Sequence, residues 1–138
     1  MFFKKKNNEK KNKFLINTCS LLIHTAKIDE NYTKKEEEII KKTLLELGET
    51  KENIDQTIED AKVIEGNSNQ ILDFTREVKN FSEKDKIKII EALWSIIYSN
   101  KNADVYETNL MRRLAGLLYI DSKTMGSIKA KIKKENLE

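Results

Sequence analysis

No proline interrupts this chain of 138 residues, and only four glycines do. A sequence so short of breakers, and built largely from Lys, Glu, Ile, Leu and Asn, favours helix from end to end. No strand-type alternation is sustained anywhere. The length is that of one ordinary domain with a respectable core, so an all-α fold in a single bundle is expected.

Helical periodicity recurs in seven blocks. The first, about Phe14 to Lys27, carries Ile16, Cys19, Leu22, Ile23 and Ala26 on one face. The second runs from near Lys34 to Gly48, a residue suited to a left-handed C-cap, with Ile39, Ile40, Leu44 and Leu47 inward. Thr50 can cap a third block striped by Ile54, Ile58 and Ala61. Gly66-Asn67-Ser68 breaks the chain before a fourth, with Ile71, Phe74, Val78 and Phe81. The fifth, about Glu83 to Ser99, is apolar over most of its circumference and belongs in the middle of a bundle. A sixth, about Val105 to Leu118, presents Leu110, Met111, Leu114, Leu117 and Leu118, and a seventh follows Ser122 with Met125, Ile128 and Ile132.

A shift of 71 residues reveals a weak internal repeat. Ile16, Cys19, Leu22, Ile23, Glu36, Ile39, Ile40 and Leu47 fall on Ile87, Ile90, Leu93, Trp94, Glu107, Leu110, Met111 and Leu118. Two similar helix-turn-helix units are implied, packed through their apolar faces, with the third and fourth helices bridging them.

Charge is unevenly placed. Residues 1–13 hold six lysines against Glu9, so this segment carries +5 while the rest of the chain is at −2. It reads as a flexible basic tail preceding a helical domain of residues 14–138. Such a tail can touch an anionic membrane surface, each lysine contributing about 1 kcal/mol. No stretch approaches the roughly 18 apolar residues of a membrane span. The single cysteine, Cys19, sits in an apolar stripe and fits a reducing cytoplasm.

One polar turn invites a chemical reading. Asp29 and Glu36 stand seven positions apart in IDENYTKKEEEII. Thr33-Lys34-Lys35-Glu36 is a capping box, repeated as Asp104-Val105-Tyr106-Glu107, so both glutamates have structural work available. An EF-hand is excluded: counting from Asp29, Lys34 takes the glycine position and Ile40 that of the bidentate glutamate.

The layout nevertheless resembles a known family. Asp29 to Glu36 with Tyr32 between, and Ser99-Asn100-Lys101 through Glu107 followed by Leu110 to Ile120, look like the paired signatures of the tellurite-resistance TerB-like domains. These also resemble the N-terminal domain of the DjlA co-chaperone. The resemblance covers about residues 14–134 and implies a bacterial helical bundle built on two hairpins. It further implies a divalent cation held by Asp29, Glu36 and Glu107. Asn100 stands where the second unit should have its aspartate, and Glu30 and Lys101 replace the glycines. The lost charge and the added lysine weaken any second site.

Other chemistries are poorly supplied. One histidine, His24, and one cysteine exclude a Cys/His zinc site within one chain. No nucleophile, base and orienting group share a motif, and there is no Gly-rich phosphate loop, so no enzyme is expected. Nucleic-acid binding needs a basic stripe on an ordered element. The adjacent Arg112 and Arg113 point about 100° apart on a helix and are expected to pair with acids instead. Two roles follow: a non-catalytic TerB-like module that docks a protein partner and responds to a cation, or a peripheral domain at the inner membrane face, as in DjlA.

Overall fold

The computed structural model describes residues 2–27, 33–67, 72–75, 78, 81–99 and 107–137, the side chains of 2–12, 72–73, 107–108 and 136–137 excepted. The helices are α1 (Phe2–Ala26), α2 (Lys34–Glu46), α3 (Ile54–Gly66), α4 (Leu72–Thr75), α5 (Glu83–Tyr98), α6 (Arg112–Leu117) and α7 (Ser122–Leu137). A π-helical turn, Glu107–Met111, leads directly into α6. With the single turn α4 set aside, six helices stand among the described residues against seven expected blocks, and the chain is an all-α bundle.

Helix α1 extends back to Phe2, since nothing between Lys13 and Phe14 breaks it. The sequence boundary still marks a physical change within that helix. Lys13 is exposed, while Phe14 and Leu15 are buried. From Thr18 to Ile23 every side chain is buried, so α1 is central like α5. Two of its hydroxyls are satisfied locally: Ser20 donates to the Ile16 carbonyl at 2.8 Å and Thr25 to that of Leu21 at 3.0 Å.

The apolar stripes read from the sequence form the core. Cys19, Leu22, Ile23, Ile40, Leu44, Ala61, Ile90, Leu93, Met111, Leu114 and Ile132 are buried. Phe74, on the single-turn α4, and Val78, at a 3-10 helical position, are buried too; Ile71 lies outside the described residues. Phe81 stacks on Phe14 with ring centroids 3.6 Å apart. Lys86 on α5 breaks the pattern and is only 5% exposed. Its stem lies in the core, its ammonium 3.7 Å from Glu83 and 6.0 Å from the Tyr119 ring centroid.

The repeat reaches further than the sequence suggested. Helix α2 closes with the Glu49 N–H donating to the Leu44 carbonyl at 2.9 Å, and α6 closes with Ile120 donating to Ala115 at 2.9 Å. Gly48 (φ 108°) and Tyr119 (φ 55°) take the left-handed position in these two turns, 71 residues apart. Thr50 then caps through its hydroxyl, which accepts from the Asn53 N–H at 3.3 Å, and Asp121 does the same for Thr124 at 2.6 Å. The following helices α3 and α7 keep the offset: buried Ile54, Thr57 and Ala61 match buried Met125, Ile128 and Ile132. Helix α3 therefore does not bridge the units. It completes the first one by packing along α1, as α7 completes the second along α5. The Ser20 hydroxyl, 3.3 Å from the Ala61 carbonyl, joins α1 to α3 where both side chains are small. The two units meet through α5, which packs on α1 and α2.

Candidate functional site

The acidic turn begins at a well-formed cap. Thr33 is extended (φ −92°, ψ 163°), and its hydroxyl accepts from the Glu36 N–H at 3.2 Å. Glu36 answers by accepting the Thr33 N–H at 3.1 Å and the Thr33 hydroxyl proton at 2.9 Å, both on Oε1. The reciprocal box foreseen from the sequence is complete. Glu36 is 2% exposed, a burial made tolerable by these donors and by the positive end of the α2 dipole.

Of the other residues assigned to a cation by resemblance, Asp29 lies outside the described residues. Glu107 opens the π-helical turn, and its side chain is likewise outside them. Asn100, Lys101 and Asp104 fall in the same category. Among the described residues, no group of three or more His, Cys, Asp or Glu side chains is placed to hold a metal ion.

The C-terminal ends of α1 and α3 are tied by charge. Glu65 receives Lys27 Nζ at 3.0 Å and His24 Nδ1 at 3.4 Å, and His24 tilts against the Phe74 ring at 5.6 Å. His24 thus has a structural partner that no local pattern could announce, because Glu65 is 41 residues away. Cys19 is fully buried, and burial pushes its thiol up to about 12. A thiol so reluctant to ionise is a poor nucleophile.

The arginine pair departs from expectation. Arg112 and Arg113 are both exposed, and neither forms a salt bridge among the described residues. Arg112 instead stands on the rim of a cleft of about 530 Å³ between α6 and α7, floored by Trp94, Met111, Ala115 and Met125, with Lys129 opposite. The sequence carried a faint sign of it: Ala115 and Gly126 interrupt stripes that are otherwise bulky.

No helix among the described residues is long and apolar enough to cross a membrane. Neither a curated protein nor a solved structure matched the chain. The family model described as tellurite resistance protein TerB matches residues 15–130, which takes in both helical units and the turns between their helices; the chain belongs to the TerB family.

Proposed function

We propose that this chain is a non-catalytic interaction module of the tellurite-resistance type, whose first acidic turn responds to a divalent cation. The observation that carries the reading is the double use of Glu36. Its carboxylate closes the α2 cap, and in the sequence it ends the acidic stretch that begins with Asp29. Carboxylate oxygens suit a hard cation such as calcium or magnesium. With Oε1 already accepting two hydrogen bonds from Thr33, Glu36 is the weaker contributor and Asp29 the primary ligand. Binding there is therefore linked to the stability of the first turn of α2. Glu107 holds the matching position of the second unit, where the sequence supplies Asn100 and Lys101 in place of Asp29 and Glu30, and contributes less. The buried, unreactive Cys19 and the engagement of His24 with Glu65 support a binding role over a catalytic one.

Calorimetric titration with calcium, magnesium, manganese and zinc tests this, with Asp29→Ala and Glu36→Gln alongside. Saturable heat lost in Asp29→Ala, with a rise in melting temperature only for the wild type, is the expected result. Absence of heat with an unchanged melting temperature leaves the turn as a cap alone.

A second reading draws on α1. Its helical backbone runs through the lysine-rich segment from Phe2, which gives six lysines a common support for an anionic surface of the kind a DjlA-like role would use. Salt-sensitive binding to anionic vesicles, lost on removal of residues 1–13, would establish it in place of the first.

A further inference from the structure

The cleft between α6 and α7 has an internal control, the matching α2/α3 interface of the first unit. The turns at Gly48/Tyr119 and the caps at Thr50/Asp121 fix the register on both sides of that interface, so the comparison can be made residue by residue. In the first unit the space is filled by Leu44 and Ile58, both buried, and its mouth is crossed by an ion pair, Lys41 Nζ to Asp55 Oδ1 at 3.6 Å. In the second unit Ala115 replaces Leu44, Lys129 replaces Ile58, and Gly126 replaces Asp55. Each exchange acts in the same direction. Volume is removed from the floor, a second cation is brought to the wall, and the acid that would neutralise Arg112 is gone. About 530 Å³ is the result, within the range of about 300–1,000 Å³ typical of small-molecule sites.

The chemistry of the walls defines the occupant. Met111, Ala115, Met125 and the Trp94 ring offer an apolar, adaptable floor. Lys129 Nζ lies 5.7 Å from the Trp94 ring centroid, and Arg112, on α6, lines the same cleft. A guanidinium that forms no salt bridge among the described residues is suited to a carboxylate, which it can take in a bidentate pair. Asp121, between α6 and α7, is committed to capping α7. We propose that this cleft binds a small amphipathic carboxylate, its apolar body on the Trp94–Met111–Met125 floor and its anionic end between Arg112 and Lys129. The site is separate from the acidic turn, and neither requires the other.

Trp94 is the only tryptophan, so its emission reports the cleft directly. The full chain is titrated with octanoate below its micellar concentration, and with octanol as the uncharged counterpart. A saturable change in emission is expected with octanoate, with octanol about tenfold weaker. Arg112→Ala and Lys129→Ala should each weaken octanoate by about tenfold. The double variant Ala115→Leu with Gly126→Asp, which rebuilds the closed interface of the first unit, should abolish saturation without lowering the melting temperature. A Cβ at Gly126 meets nothing within 4 Å, so the backbone accepts the change. A linear response in the wild type, equal binding of octanol and octanoate, or indifference to both cation variants overturns the proposal.

Discussion

The first three-helix unit buries a polar pair where the second buries an apolar one. Glu49 and Thr57 sit in the core with Glu49 Oε2 and Thr57 Oγ1 2.5 Å apart, and Glu49 Oε1 accepts the Thr50 N–H at 2.9 Å. At the matching positions stand Ile120 and Ile128, also buried. The same backbone turn thus accepts two unlike solutions. What holds the architecture is the hydrogen-bonded turn and cap, and the chemistry packed behind it is free to vary. The units diverge most where nothing fixes them, at the mouth between the second and third helices of each.

The largest test of this comparison is to exchange residues across it. Leu44→Ala places the second unit's small residue in the first and should cost about 2–5 kcal/mol in denaturant unfolding. Ala115→Leu, directed into an existing cleft, should cost far less. If both cost the same, the two interfaces are not equivalent.

Breaking the polar pair comes next. Glu49→Ala strands the buried Thr57 hydroxyl and the Thr50 N–H, an expected loss of about 1–3 kcal/mol. Combining Glu49→Ile with Thr57→Ile, which copies the second unit, should recover most of it. A double-mutant cycle measures the coupling.

The left-handed positions sharpen the comparison further. Gly48→Ala should lose about 1–2 kcal/mol, and Tyr119→Gly should gain about 1 kcal/mol, less whatever the phenol ring contributes beside the Lys86 ammonium. Thermal unfolding of the two variants gives opposite signs if the turns are equivalent.

The smallest effect is in acid. Thr124 donates its N–H to Asp121 and holds that carboxyl below its ordinary value of 3.8. A depressed folded value means that this cap's contribution is complete above the unfolded value and is lost as pH falls through the folded one. Thr50, its counterpart, does not titrate in this range. The wild type should therefore lose slightly more stability between about pH 4 and pH 2 than Asp121→Ser.

How much of this was readable in advance depends on range. Stripes such as Ile54, Ile58 and Ala61 and the Thr33–Glu36 box are set by neighbours three or four positions away, and they are found as expected. The offset of 71 was visible through Leu118 and then faded. Ile58 and Lys129, or Asp55 and Gly126, share no chemical class, although the backbone carries them in register. Placing α3 with the first unit needed the small Ser20–Ala61 contact, and burying Lys86 needed Tyr119; neither has a local signature. For the acidic turn, the cap at Glu36 was legible, while the side chains of Asp29 and Glu107 lie outside the described residues. The cleft is defined by what is missing relative to a second copy, and periodicity does not register missing volume.

The duplicated turn also has a consequence in time. Each unit can close its own turn and cap from nearby residues before the other is in place, and helical bundles with such local connections fold within about microseconds to milliseconds. Trp94 belongs to the second unit alone, on the helix that also joins the two. A refolding trace followed by its emission would record the arrival of one half, and a probe on α3 would show whether the other half had been waiting.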